Sequence, residues 1–119
     1  MRVIVTGSRY RKFEDRALIF EQLDYLHKTR FIELLIQGGA MGVDQLASTW
    51  AIQNGIPCAT VNANWVRYGL GAGPVRNEWM AKLFYADLLA AFPGGSGTQD
   101  MIEAAIRHGI EVVQFVDVP

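Results

Sequence analysis

Residues 32–61 of this chain read IELLIQGGAMGVDQLASTWAIQNGIPCATV. An apolar run at residues 32–36 leads into a glycine-rich turn, and apolar residues at helical spacing follow it from Val43 to Ala51. The helical pattern ends at Asn54-Gly55-Ile56, where glycine supplies the left-handed conformation that a helix end often needs. A second strand-like run occupies residues 58–61. The stretch therefore predicts strand, helix and strand, the repeating unit of a parallel sheet.

The same alternation continues on both sides of this stretch. Strand-like runs occur at residues 3–6, 87–92 and 110–116, and their continuous apolar character is typical of strands that are buried on both faces. We predict one α/β domain over residues 1–119, Rossmann-like and three-layered, with a mostly parallel five-stranded sheet and helices on both faces. The remaining helices are predicted from the stripe Ile19, Leu23 and Leu26, from residues 74–85 with Pro74 in the first turn, and from the stripe Met101, Ile102, Ala105 and Ile106.

Composition limits the function classes. The 119 residues include 11 basic and 12 acidic side chains, so the net charge of −1 makes nucleic acid an unlikely partner. One cysteine, Cys58, excludes an internal disulfide, and no residue spacing is typical of a metal site. No apolar run approaches the roughly 20 residues that span a bilayer. We expect a cytoplasmic protein without membrane attachment, metal or cofactor.

Three of the predicted strand-to-helix turns are rich in glycine. They are Thr6-Gly7-Ser8-Arg9, residues 37–42 (QGGAMG) and residues 93–98 (PGGSGT). All such turns gather at one edge of a parallel sheet, which is where these folds bind ligands. Glycine here has two explanations: the turns need positive φ and close packing, or bare backbone N–H groups bind an anion, usually phosphate. The convergence of three turns favours the anion.

Three side chains near these turns have two explanations each. Arg76 is predicted in the first turn of a helix, where the helix dipole disfavours a cation unless an anion shares the site; otherwise it is a solvated arginine on a mobile loop. Asp44 either stabilises the start of its helix or accepts a hydrogen bond from a ribose hydroxyl. Trp65 either stacks on a base or attaches the long loop at residues 64–73 to the domain.

These turns carry a resemblance to a known family. Gly7-Ser8-Arg9, the run from Gly38 to Asp44, Trp65 through Arg76-Asn77 with Met80, and residues 93–98 together resemble the SLOG superfamily, in its YspA-like, YpsA-related branch. The resemblance implies a nucleotide-derived ligand, with phosphate on residues 93–98 and the sugar or base near residues 7–9 and 39–44. The ligand-binding residues it implies are Gly7, Ser8, Arg9, Gly38, Gly39, Ala40, Gly42, Asp44, Trp65, Arg76, Asn77, Pro93, Gly94, Gly95, Ser96, Gly97 and Thr98.

The related Lonely Guy enzymes cleave the N-glycosidic bond of nucleoside 5′-monophosphates. Arg76 and Met80 match their arginine and methionine in spacing, but Met101 stands where those enzymes have a glutamate. Hydrolysis here would need Asp44, Asp100 or Glu78 as the substitute carboxylate, because cleavage passes through a cationic sugar.

Three functions follow from the resemblance. The first is a module that senses or sequesters a nucleotide-derived ligand. The alternative is a phosphoribohydrolase whose catalytic residues would be Arg76, Asp44 and Asp100. The second alternative is handling of single-stranded DNA, as in the related DprA. The relatives also imply a homodimer or a higher homo-oligomer.

Overall fold

Five short strands pair in parallel: β1 (Arg2–Thr6), β2 (Leu34–Gln37), β3 (Cys58–Thr60), β4 (Leu88–Ala91) and β5 (Glu111–Gln114). The computed structural model describes residues 1–116, and in it the strands form one sheet in the order β3-β2-β1-β4-β5. The predicted α/β fold with a parallel five-stranded sheet is confirmed.

The helices form a layer on each face of this sheet. They are α1 (Ala17–Arg30), α2 (Val43–Gln53), the single turn α3 (Trp65–Tyr68), α4 (Ala72–Leu83) and α5 (Ser96–Arg107). Helices α1 and α2 pack on one face, in a core with Val3, Val5 and Leu35. Helices α4 and α5 pack on the other face, in a core with Ile4 and Leu89.

Neighbouring residues of β1 belong to opposite cores, because successive side chains of a strand point to opposite faces of the sheet. Val3, Ile4 and Val5 are all fully buried, although Ile4 contributes to a different core from the two valines. Burial on both faces explains why the strands appear in the sequence as continuous apolar runs.

The structure corrects the predicted start of α4. A 3₁₀ turn at Gly69–Gly71 runs directly into α4, so this helix begins at Ala72, two residues before Pro74. Pro74 is still within the first turn, where a missing N–H costs nothing. The prediction that Arg76 lies in the first turn is wrong, because it is the fifth residue of the helix.

Strand order reverses at the centre of the sheet. The chain runs outward from β1 through β2 to β3, and then returns to place β4 and β5 on the other side of β1. The turns after β1 and β4 therefore meet, and the Ser8 N–H donates a hydrogen bond of 2.9 Å to the carbonyl oxygen of Pro93. Open α/β sheets bind their ligands at this kind of crevice.

Among residues 1–116, no helix has the length and apolar character needed to cross a bilayer.

Candidate functional site

A cleft of about 650 Å³ opens at the carboxyl edge of β1, where the strand order reverses. Such volumes are typical of small-molecule sites. The cleft collects side chains from turns that are far apart in the sequence. Of the residues predicted for the site, those that line it are Gly7, Ser8, Arg9, Ala40, Asp44, Trp65, Arg76, Asn77, Gly95, Ser96, Gly97, Thr98 and Asp100.

Five predicted residues lie outside the lining: Gly38, Gly39, Gly42, Pro93 and Gly94. Pro93 and Gly94 instead border a second, shallower cavity of about 430 Å³, which shares Ser8 with the cleft.

The first turn of α5 forms one wall of the cleft. Its N-cap residue, Gly95, provides no side-chain cap, and the turn contains no acidic residue. Ser96 and Gly97 are exposed. The backbone N–H groups at this helix start therefore have no side-chain acceptor among the described residues, which is the arrangement that binds anions at helix N-termini.

Gly94 gives this wall its shape. A Cβ atom at residue 94 would overlap the Thr98 hydroxyl and would come within 2.9 Å of the Ser8 backbone nitrogen. Only glycine allows the turn after β4 to approach both the helix and the turn after β1 so closely.

In the turn at residues 37–42, backbone N–H groups donate hydrogen bonds to nearby side chains of the protein. The backbone N–H groups of Gly38 and Ala40 each donate to Oδ2 of Asp44 over 3.2 Å, and the Gly39 N–H donates to the side-chain oxygen of Gln37. These three groups are not available to a ligand in this arrangement. In this turn, unlike the turn before α5, glycine serves the backbone conformation: Gly39 has φ +73°.

Asp44 is the buried carboxylate of the cleft, with 7% of its surface exposed. Burial raises its pKa to about 6, against the opposing effects of the Ala40 N–H, the Arg76 charge and the Gly38 N–H. Within residues 1–116 its second oxygen, Oδ1, accepts no hydrogen bond. Asp44 can therefore accept a hydrogen bond from a ligand or exchange a proton near neutral pH.

Arg76 is the cation that faces Asp44. Its Nη1 donates to the Gly38 carbonyl oxygen over 2.6 Å, and its Nε donates to Oδ1 of Asn77 over 2.9 Å. Burial lowers the pKa of Arg76, and the charges of Asp44 and Asp100 oppose this effect. Arg76 stays protonated because an arginine cannot lose its proton in a protein. A half-buried guanidinium held at two atoms is not a solvated arginine on a mobile loop.

The three candidate carboxylates, Asp44, Asp100 and Glu78, differ in where they lie relative to the cleft. Met101 is fully buried in the core between α4, α5 and the sheet, so the position of the Lonely Guy glutamate does not face the cleft. Asp100, one residue earlier, lines the cleft. Glu78 does not line the cleft; it pairs with Arg107 at 3.1 Å and with His108, and both of these contacts lower its pKa.

The loop before α4 contributes an apolar wall. Trp65 lines the cleft and is 58% exposed, whereas Tyr68 makes an edge-on contact with Trp79 at 6.1 Å between ring centroids. Tyr68 thus attaches the loop to α4. Sequence reasoning missed Tyr10 and Leu70, which also line the cleft. Tyr10 directly follows the first glycine turn, a signal that could have found it, but Leu70 belongs to no periodic pattern.

The chain belongs to the YAcAr family, described as the YspA, cpYpsA-related SLOG family, whose model matches residues 1–68. It is also 36% identical over 126 residues to the Gene 61 protein of Mycobacterium phage D29, across 99% of this chain and 98% of the relative. No solved structure matches the chain.

Proposed function

We propose that the cleft binds a nucleotide-derived ligand, with its phosphate at the start of α5. The observation that carries this proposal is the meeting of an uncapped, exposed helix N-terminus with a cation in one cleft. Nη2 of Arg76 has no acceptor among the described residues, so its two N–H groups are available to a phosphate oxygen. The ligand is held for sensing or sequestering.

The remaining groups fit the rest of a nucleotide. The free Oδ1 of Asp44 accepts a hydrogen bond from a sugar hydroxyl, since an ionised carboxylate only accepts. Trp65 and Leu70 give the cleft an apolar surface on which a flat base can stack.

Hydrolysis of the N-glycosidic bond is the second candidate. It is favoured by the presence of two carboxylates, Asp44 and Asp100, in the cleft that also holds Arg76. In this reaction water attacks C1′ of the sugar, the bond from C1′ to the base nitrogen breaks, and the base leaves with a proton. Asp44, whose pKa is about 6, suits proton transfer, and Asp100 suits stabilisation of the cationic sugar.

Substitution of Gly95 tests the anion site without damaging the fold. A side chain at residue 95 meets no atom of residues 1–116 within 4 Å, and the φ of −101° lies outside the left-handed region that favours glycine. Gly95→Asp places a negative charge at the helix start and is a favoured N-cap. We expect titration calorimetry with a panel of nucleoside monophosphates to show loss of binding in Gly95→Asp and retained binding in Gly95→Ala. Equal affinity in both variants for every phosphorylated compound that the wild type binds would contradict the proposal.

Mass detection on the same incubations separates the two candidates. Release of free base by the wild type, and not by Asp100→Asn, would establish hydrolysis. Intact compound retained by the protein would establish binding alone.

A further inference from the structure

We propose that Asn77 is a positioning residue that holds Arg76 and Asp100 apart, so that the guanidinium stays available to an anion. The inference rests on the proposed function, because it explains how one cleft keeps a cation free beside a carboxylate.

The Asn77 side chain is fully engaged. It is 4% exposed, and its Oδ1 accepts from Nε of Arg76 over 2.9 Å. Its Nδ2 donates to Oδ2 of Asp100 over 2.9 Å and to the carbonyl oxygen of Gly97 over 3.3 Å. One buried amide therefore joins the cation on α4, the carboxylate on α5 and the first turn of α5.

An amide is a neutral side-chain group that can serve both partners at once. A guanidinium only donates hydrogen bonds and an ionised carboxylate only accepts them, whereas an amide offers an acceptor and a donor. Within residues 1–116, no ion pair of 4.0 Å or less joins Arg76 to Asp100, although the two charges attract each other. Asn77 satisfies each charge separately and so prevents their direct pairing.

The geometry of Arg76 shows what this separation preserves. Asn77 accepts from Nε, the Gly38 carbonyl accepts from Nη1, and Nη2 has no acceptor within residues 1–116. A direct pair with Asp100 would occupy the N–H groups that a phosphate needs, because carboxylates and phosphates bind the same fork of donors. Gly97 belongs to the proposed phosphate-binding turn, so the same amide also fixes the distance between the cation and that turn.

The test compares Asn77→Ala, Asp100→Asn and the double variant Asn77→Ala/Asp100→Asn, with inorganic phosphate as the probe in a ³¹P NMR titration. We expect Asn77→Ala to weaken phosphate binding about tenfold or more, because Asp100 then captures Arg76. Asp100→Asn should bind at least as tightly as the wild type. The double variant should return to within about threefold of the wild type, since the competing carboxylate is gone.

Failure to restore binding in the double variant would assign Asn77 a merely structural role and overturn the inference. If the wild type binds phosphate, equally tight binding by Asn77→Ala would overturn the inference as well.

A ligand-free measurement separates this inference from the proposed function. A crystal structure of Asn77→Ala should show Arg76 and Asp100 in direct contact, at 4.0 Å or less. If the wild type binds no phosphate but this pair forms, the proposed function fails and the positioning role stands. If the pair does not form, the positioning role fails whatever the wild type binds.

Discussion

Asp44 combines a position at the start of α2 with deep burial in the cleft. The helix start and the two N–H groups of the turn favour its charged form, but burial outweighs them and the pKa rises from 3.8 to about 6. At neutral pH the carboxylate is therefore charged, and the burial of this charge lowers the stability of the folded protein. Functional sites often contain residues that are shifted in this way.

This shift predicts how stability depends on pH. When folding raises the pKa of a group, its stabilising contribution is fully present at pH values below the pKa of the unfolded state. That contribution is lost as the pH rises through the pKa of the folded state. For Asp44 the window runs from 3.8 to about 6, and the change is up to about 3 kcal/mol. We expect the difference in free energy of unfolding between wild type and Asp44→Asn to change across this window in urea denaturation. A difference that is constant with pH would contradict the assignment.

Gly42 and Gly55 form a matched pair for testing the turn after β2. Both have positive φ, +80° and +67°, but a Cβ at residue 42 would overlap the Ser8 carbonyl oxygen, whereas one at residue 55 meets nothing within 4 Å. Gly55→Ala should cost about 1 kcal/mol from backbone strain alone. Gly42→Ala should cost clearly more, since the turns after β1 and β2 must separate and the backbone of residue 42, at φ +80° and ψ −127°, lies outside the left-handed helical region. Chemical denaturation of both variants measures the loss in free energy of unfolding. Equal losses would show that the chain relieves the contact at residue 42 at no cost in stability.

Met101 tests the correspondence with the Lonely Guy glutamate. Because the side chain is fully buried in an apolar core, Met101→Glu should destabilise the protein by about 3 kcal/mol or more, without creating a carboxylate in the cleft. Met101→Leu should cost less than about 1.5 kcal/mol. Thermal unfolding of both variants provides the measurement. A stable Met101→Glu variant that releases free base from a nucleotide would contradict the assignment of Met101 to the core.

For individual residues, the sequence predicts where a side chain lies better than it predicts what that side chain contacts. Arg76 and Asp44 were predicted for the cleft because glycine-rich turns mark the carboxyl edge of a parallel sheet. The contacts of Asn77 were not predicted, since they join two helices and depend on side-chain directions that no local pattern contains. The turn at residues 37–42 was also ambiguous, because the same glycines suit an anion or a tight turn.

Helix α5 depends on its first turn for the proposed binding, and that turn lacks an ordinary cap. An uncapped helix start is less stable than a capped one. The folded protein is therefore less stable than it would be with a side-chain cap at this position. We expect Gly95→Asp to raise the free energy of unfolding by about 0.5–1 kcal/mol, compared with Gly95→Ala, while it abolishes phosphate binding. Thermal unfolding at low salt tests the stability; a variant less stable than Gly95→Ala would contradict this view of the turn.

Element types were more predictable than element boundaries. The long helices and all five strands follow from apolar periodicity, which the burial of the two cores explains. The single turn of α3 was missed, because Trp65–Tyr68 is too short for a helical period to be visible. Its N-cap is the Asn64 side chain, which accepts from the Arg67 N–H over 3.1 Å, a local signal that residue types alone made ambiguous.

For the whole molecule, the strand order could not be predicted from periodicity. Apolar runs mark where strands lie in the sequence, but they do not say whether β4 pairs with β3 or returns to β1. The return to β1 is what creates the crevice, and it is set by how α4 crosses to the other face of the sheet.

The homo-oligomer implied by the relatives stays a prediction. Val66 and Leu70 are almost completely exposed beside the cleft, which leaves apolar surface available for contact with another copy. We expect light scattering during size-exclusion chromatography to give at least twice the mass of the 13.2 kDa chain. A single-chain mass at micromolar concentration would contradict the prediction.

The crevice at the centre of the sheet has a consequence for when the site exists during folding. A ligand at the proposed site would contact residues near positions 8, 44, 76 and 96, which span most of the chain and come together only after β4 has paired with β1. Such distant contacts form late, because the chain must first close long loops. The proposed ligand would therefore bind only molecules that have completed their fold, and its binding would stabilise the folded state by mass action. A chain that ended before residue 93 would carry Asp44 and Arg76 but lack the turn that we propose binds the phosphate.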